Sequence, residues 1–203
     1  MNKYRSGSNA NIGDSLKRGL LAHYPLVSNA NDISGNGNNG TTSGTVTFGS
    51  NGVSFASGAY VNLPVLFSGS SNRSVSFKFN APSAPGGYEN TIYAAGTTSS
   101  SQLFGVGITG GGTILRFFGY NNDIDYTWES EYYGVEHHVV MIYASGCRKW
   151  YINKTLITNQ ATTLNTSSAN HRIGTLLGDT FNGTVRDLRI WNREILEEEV
   201  AKL

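Results

Sequence analysis

The chain has 203 residues, of which 38% are apolar and 14% charged, with a formal net charge of +1. That length can bury a core without disulfides, and the near-neutral charge with scattered basic residues argues against nucleic acid or an anionic membrane as partner. Apolar residues fall in short runs, none near the roughly 20 that span a bilayer as a helix, so no membrane insertion is expected.

Residues 1–15 (MNKYRSGSNANIGDS) are polar and lack the apolar segment of a signal peptide, so they read as a flexible tail or linker before one domain at 16–203. The 25 glycines, with many Ser, Thr and Asn, suit short strands joined by tight turns. Leu20–Leu26 is the first predicted strand, followed by a long polar turn, SNANDISGNGNNGTTSG. Short strands are expected at Val46–Phe48, Val53–Phe55 and Ala59–Leu63. In Ser74–Asn80, Val75, Phe77 and Phe79 share one face, the period-two signature of a half-buried strand. Further strands are read at Asn90–Ala94, Leu103–Ile108, Ile114–Tyr120, Ile124–Trp128, His138–Tyr143, Lys149–Ile152, Arg172–Gly174 and Gly183–Trp191. Arg193–Leu203 carries the one helical signal, with acidic residues leading and Lys202 trailing. The fold class is therefore all-β: a two-sheet antiparallel sandwich with a short C-terminal helix.

Cys147 is the only cysteine, so no intrachain disulfide forms; in its Ser-Gly-Cys-Arg setting it reads as a spare thiol at a turn. Sequons at Asn39, Asn72, Asn153, Asn165 and Asn182 are expected by chance in a chain so rich in Asn, Ser and Thr. The four histidines show no ligand spacing and there are no Cys pairs, which excludes a zinc reading.

Three segments carry a family resemblance: GLLAHYPLVSNANDISGNGNNG (Gly19–Gly40), HHVVMIYASGCRKWYINKTLI (His137–Ile157) and FNGTVRDLRIWNREILEEEV (Phe181–Val200). In this order they resemble the opening strand and turn, a central hairpin, and the closing strand and helix of laminin-G-like, concanavalin A-like jelly-roll domains. The hairpin departs from the pattern, since Lys154 follows Asn153 where the family usually has glycine. The stretch Leu63–Glu136 shows no matching motif.

The resemblance implies one structural Ca²⁺ clamping the first loop to the last strand, with Asp32, Asn36, Asn39 and Asp187 as oxygen ligands. The alternative is a turn held by Asn and Asp side chains hydrogen-bonded to backbone. The resemblance also implies glycan recognition, which uses aromatic rings and hydroxyl-reading polar groups. GYNNDIDYTWESEYYG (Gly119–Gly134) concentrates both. Alternation assigns Ile124, Tyr126 and Trp128 to the core side and leaves Tyr120, Asn121, Asn122, Asp123, Tyr132 and Tyr133 flanking the strand, with Tyr88 on another loop, as candidate ligand residues.

Catalysis is disfavoured. Asp123 to Glu129 superficially resembles a glucanase signature, but at about 3.3 Å per residue the two carboxyls stand about 20 Å apart, beyond either glycosidase spacing. The expected function is a non-catalytic carbohydrate-binding or adhesin module of a larger assembly such as a fibre tip, at a cell or virion surface, with homo-oligomers formed through a stalk. Protein–protein interaction or a structural capping role is the alternative.

Overall fold

Alternating apolar residues and glycine-rich turns yield sixteen strands among the described residues. These are residues 15–86, 89–176 and 179–203 of a computed structural model, so the predicted tail up to residue 14 lies outside them, as does Tyr88. The strands are β1 (Leu20–Tyr24), β2 (Thr41–Ser43), β3 (Val46–Gly49), β4 (Gly52–Phe55), β5 (Tyr60–Leu63), β6 (Arg73–Asn80), β7 (Glu89–Gly96) and β8 (Leu103–Thr109). They continue as β9 (Ile114–Phe118), β10 (Ile124–Thr127), β11 (Glu136–Ala144), β12 (Cys147–Ile152), β13 (Thr155–Ala161), β14 (His171–Ile173), β15 (Asp179–Thr180) and β16 (Thr184–Trp191). A one-turn helix, α1 (Glu197–Val200), follows.

One sheet, sheet A, has the order β13-β12-β11-β6-β16-β4-β3 with β1 also on β16; sheet B has β10-β9-β8-β7-β14-β5-β2 with β15 on β7. Pairing is antiparallel except for β15, which runs parallel to β7. This is the expected jelly-roll sandwich. Val75, Phe77 and Phe79 of β6 do point inward together, where they meet Phe104, Val106, Leu115 and Phe117 of sheet B. Strands β2, β13 and β15 were not expected; β13 (TLITNQA) shows no clean alternation, and its pairing with β12 shifts at a bulge opposite Trp150 and Tyr151.

The run His138–Tyr143 is apolar on both faces, as a strand buried on both sides must be. Its outward residues Val140 and Ile142 form a second small core with Tyr151, Trp191, Ile195 and Val200. The short helix expected within Arg193–Leu203 is present and is confined to Glu197–Val200. The reason is local: Arg193 clamps Glu199 through two hydrogen bonds of 2.7 Å and also donates to the carbonyl oxygens of Ser15 and Arg18, which holds 193–196 extended against the sheet. At the β12–β13 hairpin, Asn153 and Lys154 both have positive φ (48° and 70°), the two-residue turn that elsewhere favours Asn-Gly.

Strand β16 organises sheet A. Its residues 189–191 pair with β6 on one side and β1 on the other, while Val185 pairs with β6 and β4. Strands β1 and β4 therefore share one edge of β16, end to end. Where the partner changes, the register slips between Arg186 and Arg189, and Asp187 takes φ 53°. Alternation points Arg186 outward, and the extra residue lets Asp187 follow it outward and keeps Val185 and Leu188 in the core. The Asp187 backbone N–H donates to the Pro25 carbonyl at 3.1 Å, which joins the end of β1 to the bulge.

Two outcomes follow from these contacts. Asp187→Ala and Asp187→Gly both delete the carboxylate, but only glycine relieves the left-handed backbone, so the Gly variant should be the more stable by about 1 kcal/mol in urea denaturation. Equal midpoints would show that the bulge backbone is unstrained. The Arg193 hydrogen bonds hold the Glu199 carboxyl down to about 2, against 4.5 ordinarily. Its contribution is complete above that ordinary value and is lost as pH falls towards 2. Trp191 fluorescence should report loosening of the C-terminal segment in that window, and Glu199→Gln should abolish the acid-dependent step.

Candidate functional site

The residues expected to bind calcium are close together but serve other partners. Asp32 accepts the backbone N–H groups of His23, Ser34 and Asn38 and the Ser34 hydroxyl, at 2.8–3.0 Å. Burial works to raise its carboxyl, and these donors outweigh it and hold it below its ordinary value. The Asn39 side-chain oxygen accepts the Asp32 N–H, and Asn36 donates its amide to the carbonyls of Leu20 and Leu21. Asp187 faces His23 Nε2 at 2.8 Å, Arg189 at 2.9 Å and Lys78 Nζ at 3.8 Å. Hydrogen-bond donors and cations thus occupy the oxygens that a divalent ion would need. In this arrangement the four residues do not fit a calcium site, and among the described residues no group of three or more His, Cys, Asp or Glu could hold a metal. The clamp between first loop and last strand is instead His23: its backbone N–H goes to Asp32, its ring to Asp187.

The candidate ligand residues within the described part of the chain separate into two groups. Tyr120 and Asn121 form the β9–β10 turn with φ of 57° and 69°. Asp123 closes the turn by accepting the N–H groups of Gly119 and Tyr120 at 2.7 and 2.8 Å. Asn122 points inward, donating to Ser101, Thr162 and Thr163 while its carbonyl accepts from Arg148. Tyr132 and Tyr133 lie beyond the other end of β10. There Tyr132 packs on Trp128 with ring centroids 4.8 Å apart, and the Tyr133 hydroxyl donates to the Gly112 carbonyl. The strand between them keeps the groups at opposite ends of the sandwich. Trp128 is buried, as its alternation implied, and Asp125 is bound bidentately by Arg116.

One concavity was not anticipated. It is a groove of about 640 Å³ at the end of sheet A where β6 finishes and β11 and β16 begin. Glu136, Asn80 and Thr184 stand abreast on β11, β6 and β16. Arg186 reaches across β6 to grip Glu136 with two hydrogen bonds of 2.5 and 2.6 Å. Ser54, Asn51, Pro82 and Asn182 are among the other residues that line it. The outward aim of Arg186 is a product of the alternation before the bulge. The fork-to-fork ion pair leaves N–H groups of Arg186 and lone pairs of Glu136 for further bonds. Glu136 is the one carboxylate among the lining residues. No short motif could have disclosed this groove, because its residues come from four strands and three connecting segments; the faint signal is the Asn182-Gly183-Thr184 turn entering β16.

Comparison with known proteins agrees with this architecture. The chain belongs to the concanavalin A-like lectin/glucanases superfamily, whose laminin G family model matches residues 55–201. Among solved structures it is similar to domain 4 of AbnA, a GH43 extracellular arabinanase from Geobacillus stearothermophilus, in complex with arabinotriose. The TM-score is 0.69 at 20% identity, covering 90% of this chain and 97% of that one. It is similar to botulinum neurotoxin type C (TM-score 0.69, 18% identity, 93% of this chain and 51% of that one), in a structure concerned with cell entry through two ganglioside molecules. It is also similar to Trypanosoma rangeli sialidase (TM-score 0.70, 16% identity, 90% and 32%). The chain thus spans about half of the toxin chain and about a third of the sialidase chain. No curated protein sequence matches it. At these identities the likeness establishes the fold.

The donor chemistry around Asp32 and Asp187 makes a definite prediction. Calcium should leave the thermal midpoint unchanged, and so should chelator. A bound ion at 100 times its Kd would add about 2.7 kcal/mol, a shift that scanning calorimetry resolves.

Proposed function

We propose that this domain is a non-catalytic carbohydrate-binding module that reads glycan hydroxyls in the groove at Glu136 and Arg186. The observation that carries this reading is the preformed ion pair flanked by Asn80, Thr184, Ser54 and Asn182. Sugar hydroxyls are both donors and acceptors, and a fixed guanidinium–carboxylate pair beside amides and hydroxyls offers both without rearrangement. The family and the arabinotriose- and ganglioside-related neighbours support the same class of ligand.

Hydrolysis of a glycosidic bond ordinarily uses two carboxyls about 5–9.5 Å apart. The groove offers Glu136 alone, already engaged by Arg186. This favours binding over turnover. On this reading the module attaches a larger assembly to a glycan-bearing surface outside a cell or on a virion, with the polar residues 1–15 as the link to a stalk that brings copies together.

A glycan array with the purified domain, followed by calorimetry on the hits, tests the proposal. Glu136→Gln and Asn80→Ala should each weaken binding about tenfold, the scale of one or two lost polar contacts. Their thermal midpoints should stay near that of the parent, since Glu136 is well exposed and its ion pair lies at the surface. Binding unaffected by either substitution would remove the groove as the site, and a blank array would put a protein partner or a structural role first.

A further inference from the structure

We propose that the domain carries a second subsite, on the opposite side of sheet A from the groove, that seats one uncharged pyranose ring. The site is a pocket of about 210 Å³ between the sandwich edges formed by β10 and by β12 and β13. Successive residues of β11 belong to the two sites: Glu136 lines the groove and His137 lines the pocket. Because neighbours on a strand point to opposite faces, the two sites cannot share one ring. The inference deepens the glycan reading, on which it rests for the class of ligand.

Aromatic side chains make the walls. Tyr126, Trp128 and Tyr132 line the pocket, and Tyr126 and Tyr132 are half-buried, so part of each ring remains accessible. Such rings pack against the C–H face of a sugar while polar groups at the rim fix its orientation. The rim is built for that. Asn153 is held at both ends of its amide: Oδ1 accepts the His138 N–H at 2.9 Å, and Nδ2 lies 3.1 Å from His137 Nδ1. His137 Nε2 donates to the Tyr132 carbonyl at 2.8 Å, which leaves Nδ1 to accept from Asn153. One Nδ2 hydrogen of Asn153 remains for a ligand, beside the exposed Thr155 hydroxyl. No Asp, Glu, Lys or Arg lines the pocket. A ring bearing a carboxylate would lose its hydration there without gaining a cation, so the site selects neutral sugars.

The chain has three tryptophans, and their indole N–H signals serve as the readout in ¹H–¹⁵N spectra. Trp128 belongs to the pocket, whereas Trp191 donates its N–H to the Leu16 carbonyl in the outer core and is the control. The probes are the methyl glycosides of glucose, galactose and mannose, with methyl glucuronide as the charged counterpart of the first. At least one neutral glycoside should move the Trp128 signal, glucuronide should move it less, and Trp191 should stay fixed. Tyr126→Ala should weaken the response about tenfold. Thr155→Tyr, which fills the rim from an exposed edge strand, should abolish it without unfolding the chain. The Asn80 side-chain amide signal reports the groove in the same spectra. If Asn80 responds and Trp128 does not, the pocket is refuted and the groove stands. If Trp128 responds and Asn80 does not, the pocket stands and the groove loses its support. A Trp128 shift that survives Thr155→Tyr, or that glucuronide matches, overturns the inference, as does silence at Trp128 with every probe.

Discussion

The bulge in β16 is the constraint on which sheet A depends. Two strands, β1 and β4, pair end to end along the same edge of β16, and the bulge against β6 lies where one gives way to the other. Because side chains alternate with period two, running the same residues as a regular strand would carry Leu188 and Ile190 to solvent and Arg189 into the core. Asp187 fills the irregular position in left-handed backbone, and its carboxylate gathers His23, Arg189 and Lys78 on the outer face. Burial works to raise that carboxyl, yet the His23 hydrogen bond and the neighbouring cations outweigh it and hold it below its ordinary value. The first loop is tied to the last strand through the same contact, by way of His23 and Asp32.

Charges elsewhere are handled in the same economical way. Arg73 is fully buried, yet its guanidinium donates to the carbonyls of Gly69 and Ser71 and to the Thr166 hydroxyl. Phe67, Phe104 and Tyr143 surround it at 4.7–4.9 Å. Burial lowers its pKa to about 10, so it remains charged at neutral pH and pins the loop before β6 to the segment before β14. Asp125, Glu136, Glu194 and Glu199 are each paired with Arg or Lys.

Both concave sites lie at one end of the sandwich, where strands of the two sheets give way to loops. That end collects Asn80, Glu136, His137, Asn153, Thr155 and Thr184, because β6 and β12 finish there while β11, β13 and β16 begin. At the opposite end the Tyr120–Asp123 turn is closed by internal hydrogen bonds.

The sequence by itself determined the fold class, the family and the inward face of most strands. Those follow from local periodicity, turn chemistry and three motifs, all of which act within a few residues. Even the bulge left a trace, since Val185 and Leu188 are both apolar at an odd spacing in an otherwise alternating strand. Tertiary structure alone decided the sites. Arg186 meets Glu136 across an intervening strand, fifty positions away in the chain. Asp32 is saturated by N–H groups that only the folded loop aims at it, and Asp187 is claimed by His23 of β1, Lys78 of β6 and Arg189 of β16. Residue type shows what a side chain can bind; which partner reaches it first depends on strand order and register, and those are set by packing the whole sandwich.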